Sequence, residues 1–307
     1  MKNFSHISVV VSDEVTSALN ERRGVVALET TIVVHGLPAP VNIEVAQECE
    51  AAVRASGAVP ATIGVLDGHV IVGMSLDELA NLASDERHAL KLSARDLGLA
   101  VASGASGATT VAGTIGISSR VGIDVMATGG LGGVHRDAAH SFDESADLVA
   151  LSRYQVLVVA SGVKSILDVG ATLERLDSLG VPVIGFQTSR FPGFYQSDSG
   201  FGLDWQVDGE DAAAAAFFAH RGFSTTGLLV ANPIDAAREL SPELHERALA
   251  SAIEKASLLG VKGKDVTPVL LAEFARFTAG VSVQVNHDLV VANAGVAGRI
   301  AQAIART

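Results

Sequence analysis

Cysteine is almost absent: Cys49 is the only one in 307 residues. A single thiol forms no intrachain disulfide, which fits a reducing compartment. Aromatic residues make up 5% of the chain while hydrophobic residues reach 48%. The core must therefore be mostly Ala, Val, Leu and Ile, a composition suited to close packing of helices on a sheet. Positive charge is scarce, with 22 Lys and Arg against 34 Asp and Glu and a formal net charge of -12. That balance argues against nucleic acid or an anionic membrane as partner. It leaves room for a phosphorylated small molecule held in a local cationic pocket. No apolar run reaches the roughly 18 residues of a membrane helix. The opening Met1-Lys-Asn-Phe-Ser-His6 leads into a short apolar run without a small-residue cleavage site, unlike a signal peptide. A soluble, cytoplasmic protein is expected. Two chemical signatures are missing as well. The nine histidines form no His-x-x-x-His pair and have no cysteine partner, so zinc is not expected. No Gly-x-Ser-x-Gly elbow is present, which argues against a serine hydrolase.

What is present is alternation. Short apolar runs at Val25–Leu28, Ala61–Val65, Asp124–Ala127, Val156–Ala160 and Val181–Phe186 read as strands. Between them lie helical patterns, beginning at Asn42, at Phe142 (to Ala150) and at Ser165, where Ser165 and Asp168 read as a capping pair for a helix to about Leu179. Further helices are expected over Asp211–His220, within Val261–Ala279, and over Ala292–Ala305. Asp67-Gly68 before Val70–Val72 reads as the two-residue turn of a hairpin. Phe191–Leu203, rich in Gly, Ser and aromatics, reads as a long loop of the kind that often carries function. The pattern predicts an α/β fold with a largely parallel, helix-covered sheet and a hairpin-bearing edge. Residues 1–307 are expected to form one domain.

Lys164 is the most informative residue. It follows the buried strand Val156–Ala160 through Ser161-Gly-Val163 and leads into a helix. Ligands of parallel α/β sheets gather beyond the carboxyl ends of strands. An amine kept from water there tends to lose its proton and become a nucleophile towards carbonyl-like carbon. The plainer reading is a lysine extending to solvent at a helix start. Two other strand ends add to the case. Glu29 follows Val25–Leu28, and Thr128-Gly-Gly-Leu-Gly-Gly133 follows Asp124–Ala127. If these strands are neighbours, a carboxylate, a glycine cradle for an anion and an amine share one pocket. His135 and Arg136 sit where they would add charge to that cradle; an ordinary flexible loop is the alternative. A second glycine-rich segment, Ser103–Val111, reads either as a ligand approach or as close packing through small residues. Asp143 and Asp147, four apart, would share one helix face; they suit Mg²⁺ or Mn²⁺, or simply a solvated surface.

Several blocks in order resemble the pseudouridine-5′-phosphate glycosidase family, also called indigoidine synthase A-like. They are Ala27-Leu-Glu-Thr-Thr-Ile32 with His35-Gly-Leu-Pro38, Pro60-Ala-Thr-Ile-Gly-Val65, Ala127-Thr-Gly-Gly-Leu-Gly-Gly-Val-His-Arg136 and Phe142-Asp-Glu-Ser-Ala-Asp147. Ala160-Ser-Gly-Val-Lys-Ser-Ile-Leu-Asp168, Gly185-Phe-Gln-Thr188 with Phe191-Pro192, Ala231-Asn-Pro233, Val261-Lys-Gly263 and Val266-Thr-Pro268 continue the match. The resemblance implies a three-layer α/β/α fold, a homotrimer and one divalent metal per subunit, commonly Mn²⁺. It implies reversible cleavage of the C–C glycosidic bond of pseudouridine 5′-phosphate to uracil and ribose 5-phosphate. By motif, Lys164 is similar to the family's covalent nucleophile and Glu29 to its proton donor. Lys91 resembles a substrate-binding lysine for the phosphate, and Val111 falls at another substrate-contacting position. Asp143 matches the metal-contacting aspartate; Ser145 and Asp147 match residues that hold the sugar phosphate. Thr128 and Asn286 are further candidates for phosphate contact. Thr30 stands where serine is commoner, and Ser189-Arg190 replaces an acidic pair. Two alternatives remain beside this reading: another Schiff-base-forming lyase or aldolase of sugar phosphates, and a non-catalytic sugar-phosphate-binding partner in pigment biosynthesis.

Overall fold

The computed structural model describes residues 9–261 and 266–307; Lys262 and Gly263 of the late matched block lie outside them. The chain opens with β1 (Val9–Val11), α1 (Asp13–Asn20), β2 (Val25–Leu28), a π-helical turn at Ile32–Gly36, α2 (Val41–Ala55), β3 (Val59–Leu66) and β4 (His69–Val72). Next come α3 (Leu76–Leu82), β5 (Leu90–Leu92), α4 (Leu97–Ser103), β6 (Gly107–Thr109), α5 (Val111–Val121), β7 (Val125–Ala127), α6 (Ala138–Ser141), α7 (Ala146–Arg153) and β8 (Leu157–Ala160). The remainder is α8 (Val169–Ser178), β9 (Val183–Phe186), β10 (Gln206–Val207), α9 (Glu210–Arg221), β11 (Leu228–Ala231), α10 (Pro242–Leu259), α11 (Val266–Phe277) and α12 (Val281–Ala305).

The strands form one sheet in the order β1-β4-β3-β2-β7-β8-β11-β9-β10, with β6 and then β5 branching from β3. All pairs from β3 across to β10 are parallel. The antiparallel β3–β4 pair is the expected hairpin. Its turn residues Asp67 and Gly68 both have positive φ, at 49° and 78°, as a type I′ turn requires. Strands β2, β7, β8 and β11 are buried at every residue. Such all-apolar runs need cover on both faces. Helices α2, α9 and α12 pack together on one face, and α5 packs with α7 on the other. The result is the three-layer α/β/α architecture.

The path through the sheet sets the position of the site. From β2 the chain crosses to β3 in one direction, and from β7 to β8 in the other. The reversal falls between β2 and β7, which opens a crevice at their carboxyl ends.

Three helix boundaries differ from the sequence pattern. α7 begins at Ala146 with Ser145 as its N-cap, because the Ser145 hydroxyl accepts the Asp147 amide. Asp143 therefore precedes the helix and does not share a face with Asp147. α8 is capped by Asp168 alone, through the Ala171 amide. Ser165 is buried and its hydroxyl has no hydrogen-bond partner among the described residues. α12 begins at Val281 rather than Ala292, since Ser282 and Asn286 are buried polar positions that interrupt the apolar reading.

Candidate functional site

β2, β7 and β8 are neighbours, so Glu29, the Thr128 loop and Lys164 emerge side by side. Two connected hollows meet there. A narrow cavity of about 50 Å³ is lined by Glu29, Thr31, Ile32, His35, Lys91, Thr128, Lys164, Phe194 and Asn286, among others. A wider cleft of about 300 Å³ continues past Ser93, Arg95, Val111, Gly132, His135, Asp143, Ser145 and Asp147. Glu29, Lys91 and Lys164 line both. They stand at the junction, where the reacting part of a two-part ligand would lie. A hollow of about 420 Å³ at the amino ends of β2 and β7 holds none of these groups.

Glu29 accepts a hydrogen bond from the Thr128 hydroxyl at 2.5 Å. Burial pushes its carboxyl above the usual carboxylate range, against the opposing pull of the Lys164 ammonium and the Thr128 hydroxyl. The Asp147 carboxylate adds to the rise, and Lys91 opposes it. A carboxyl so placed can hold a proton at the pH where exposed glutamates have lost theirs. Lys91 reaches the junction from β5, a three-residue strand held by β6.

Backbone pairing fixes Lys164. Beyond the sheet, the loops after β7 and β8 zip together: the Leu131 amide donates to Gly162 O at 3.0 Å, and the Lys164 amide donates to Leu131 O at 3.1 Å. The Asp168 amide then donates to Val134 O at 2.9 Å. Gly162 has φ of 75° and any Cβ there would run into the Pro192 carbonyl, so only glycine lets the aromatic loop close over this pair. The glycine loop is consequently less open than an anion cradle. Its Leu131, Gly132 and Val134 amides already have partners. Arg136 donates to the carbonyls of Ile166 and Ser165, bracing the turn after Lys164.

Asp147 is buried, and both its oxygens are used. Oδ1 accepts the Ala112 amide at 2.9 Å and Oδ2 the Gly132 amide at 2.8 Å. It ties the first turn of α5 to the glycine loop. Val111, one residue earlier, stands in that first turn with its side chain buried. Ser145, the cap of α7, faces the same cleft. Thr128 and Asn286 line the narrow cavity on the other side of the junction from Asp143 and Ser145.

Among the described residues, no three His, Cys, Asp or Glu side chains converge as a metal cage. Glu144 is held by Arg175 at 2.8 Å and Asp147 by amides, so of these three neighbouring carboxylates the half-buried Asp143 is the one left open to the cleft. His135 Nδ1 is 3.9 Å from Asp143 Oδ2. One carboxylate beside open space fits a hard divalent cation that keeps most of its waters, and does not fit zinc.

A family model described as indigoidine synthase A like protein matches residues 14–303. The chain belongs to this family. A pseudouridine-5′-phosphate glycosidase of Salinispora tropica is 54% identical over 95% of this chain and 90% of its own. Among solved structures, a prealnumycin C-glycosynthase in complex with ribulose 5-phosphate matches with a TM-score of 0.90, at 37% identity over 98% of each chain. An indigoidine synthase A-like protein of Thermotoga maritima also has a TM-score of 0.90, at 34% identity, covering 100% of this chain and 99% of that one.

Within this indigoidine synthase A-like chain, both departures from the family pattern find local partners. The Thr30 hydroxyl donates to Ile63 O and accepts the Thr109 amide, both at 2.9 Å, which serine would also do. Arg190 pairs with Asp198 inside the aromatic loop, away from the junction. Among the described residues, no single helix is long and apolar enough to cross a membrane.

Several lining residues carried no assignment in the sequence. Thr31 and His35 lie in the matched opening block, but only the π-helical turn brings both to the cavity wall. Thr31 Oγ1, His35 Nε2 and Asn286 Oδ1 are buried without hydrogen-bond partners among the described residues. Burial lowers the His35 pKa, which favours the neutral ring. Three unsatisfied polar atoms in one narrow cavity each carry a desolvation cost of roughly 1–3 kcal/mol until a ligand meets them.

Proposed function

We propose that this protein reversibly cleaves pseudouridine 5′-phosphate to uracil and ribose 5-phosphate. The observation that carries the reading is the junction itself, where Glu29, its carboxyl pushed up by burial, and Lys164 face one another between two unlike compartments. The base fits the narrow side, where Thr31, His35 and Asn286 offer unsatisfied polar atoms to its ring edge. The phosphate fits the wide side, near Lys91, Ser145 and the amino end of α5 at Val111. This division moves Asn286 and Thr128 from phosphate contact to the base and to Glu29.

A C-glycoside has no leaving nitrogen or oxygen at C1′, so the bond to carbon must be loosened from the sugar side. The lone pair of the Lys164 amine bonds to C1′ as the C1′–O4′ bond breaks, and the proton that the nitrogen sheds on forming this bond passes to O4′. Glu29 delivers a proton to C5 of the base. The lysine nitrogen lone pair forms C1′=N as the C1′–C5 electron pair returns to uracil. Water then hydrolyses the imine, releasing ribose 5-phosphate and the free amine. Acid help of this kind is worth about 10²–10⁴-fold. Phosphate binding holds C1′ against the amine. Asp143 would hold Mn²⁺ or a similar hard cation, which supplies positive charge near the sugar phosphate. We further propose that the chain acts as a single domain, assembles as a homotrimer and works in the cytoplasm, in keeping with its one buried thiol.

Incubation with pseudouridine 5′-phosphate and Mn²⁺ should release uracil, and the reverse condensation should consume it. Neither reaction occurring would overturn the reading. Lys164→Ala should lose at least about 10⁴-fold in turnover, and full turnover would remove Lys164 from its role. The likeness to a C-glycosynthase supports a second reading, carbon–carbon bond formation between a sugar phosphate and another acceptor. A panel of acceptors with ribose 5-phosphate separates the two.

A further inference from the structure

Three adjacent parallel strands end together under the pocket, β7 at Ala127, β8 at Ala160 and β11 at Ala231. Past these ends backbone pairing continues, with the Ser161 amide on Gly129 O and the Asn232 amide on Ala160 O, both at 2.9 Å, and one side chain adds a second set of bonds. Asn293, in the middle of α12, is 0% exposed. Its Nδ2 donates to Thr128 O at 2.8 Å and reaches Ser161 Oγ at 3.1 Å and Gly129 O at 3.3 Å. Its Oδ1 accepts from Asn232 Nδ2 at 2.8 Å. Asn232, directly after β11, and Ser161, directly after β8, are themselves buried.

We propose that Asn293 is a positioning residue of this site, setting the loop that carries Thr128 against the loop that carries Lys164. The inference rests on the functional reading above. The plain alternative is a buried amide that only satisfies a core. The partners argue otherwise. Every polar contact of Asn293 goes to a strand end at the pocket floor, and Thr128 and Ser161 start the two loops that hold the proposed acid's partner and the proposed nucleophile. Thr128 turns its carbonyl to Asn293 and its hydroxyl to Glu29. Ser161 lies three residues before Lys164 and pairs through its amide with Gly129 O at 2.9 Å. A buried network of this kind is rigid only while every member is satisfied. Loss of the amide leaves the Thr128 carbonyl without its side-chain partner and frees the two loops to shift. A displacement near 1 Å between reacting groups is enough to cost about 10²-fold in rate.

The test uses full-length Asn293→Ala and, as a milder change, Asn232→Ala. Sites able to form a borohydride-reducible adduct with ribose 5-phosphate are counted by intact mass. Uracil release with Mn²⁺ is then measured per competent site across pH. The expected result is a kcat about 10–100-fold below wild type per competent site, with KM within about twofold. The falling limb of the pH profile should also move, because the Thr128–Glu29 contact is disturbed. A purely structural role would lower melting temperature and competent fraction but leave kcat per site and the profile unchanged; that outcome overturns the inference. If Asn293→Ala does not fold, Asn232→Ala decides by the same criteria. If wild type releases no uracil, the functional reading fails. The clamp is then judged by the rate of Lys164 adduct formation, and equal rates in wild type and variant overturn it.

Discussion

The Thr128 hydroxyl donates to Glu29 Oε1 at 2.5 Å, and it acts on that carboxyl together with burial, the two lysines and Asp147. Burial raises the pKa and the hydroxyl lowers it. If Glu29 delivers a proton to C5, uracil release falls as pH rises through the folded-state pKa. Thr128→Val removes a lowering influence at nearly constant volume. The falling limb should therefore move to higher pH, with kcat reduced. A profile that stays in place or moves to lower pH would mean that another group controls it.

The same carboxyl makes a stability prediction of defined sign. Its folded pKa lies above the ordinary value of 4.5. Below that value both folded and unfolded chains hold the proton, and Glu29→Gln should change little. As pH rises from 4.5 through the folded pKa, the unfolded chain releases a proton that the folded chain retains. Wild type then loses stability relative to the neutral variant. Glu29→Gln should thus lose turnover yet melt at a higher temperature, with the gain growing above pH 4.5 and level once the folded carboxyl ionises. Thermal melts at a series of pH values decide it; a variant less stable at neutral pH than wild type contradicts the argument.

The strands that carry this site were legible because they are continuous apolar runs bounded by small residues. β2, β7 and β8 emerge within a residue of the segments read from the pattern. Lys91 was reachable only through its motif. It sits on β5, and β5 and β6 are three residues each, too short to carry a periodicity. The pattern also put Asp143 on a helix. The structure starts that helix at Ala146, because the Ser145 hydroxyl takes the Asp147 amide and so sets the cap. Asn293 gave no signal at all, since one asparagine in an Ala- and Val-rich helix looks like a surface position until α12 is seen buried against β7 and β8.

Asp147 tests how far substrate contact and architecture overlap. Each of its oxygens accepts a backbone amide, from Ala112 and from Gly132. Asp147→Asn presents an NH₂ group to one of these donors and loses that bond. The expected cost is about 1–3 kcal/mol in unfolding free energy, read from the urea midpoint at unchanged slope. KM for pseudouridine 5′-phosphate should rise with it, because the glycine loop and the start of α5 lose their tie. An unchanged midpoint with a raised KM would leave Asp147 as a ligand contact only.

Asn286 should separate the two halves of the substrate. Its Oδ1 is buried and unsatisfied in the cavity assigned to the base. Asn286→Ala should weaken uracil in the condensation direction, with the loss of one buried hydrogen bond worth about 1–3 kcal/mol, or roughly 5–150-fold in KM. Adduct formation between Lys164 and ribose 5-phosphate should be unchanged within twofold or so. A variant that loses ribose 5-phosphate affinity instead would return Asn286 to the phosphate side.

Asp143 makes the last prediction, and it concerns the metal. Of the three carboxylates that follow the glycine loop into this cleft, Asp143, Glu144 and Asp147, it is the one with neither an arginine nor a pair of amides taking its oxygens. A cation held by one carboxylate and several waters binds weakly and depends on that single charge. Chelation should abolish turnover in wild type, and added Mn²⁺ should restore it. Asp143→Asn should need a far higher Mn²⁺ concentration for half-maximal activity, by about 10-fold or more, while its melting temperature without metal stays that of wild type. The position of Asp143 ahead of α7, half-exposed and outside the core, is what separates these two readouts. An unchanged Mn²⁺ requirement would move the metal to other ligands, and the 3.9 Å separation from His135 Nδ1 makes that ring the next group to alter.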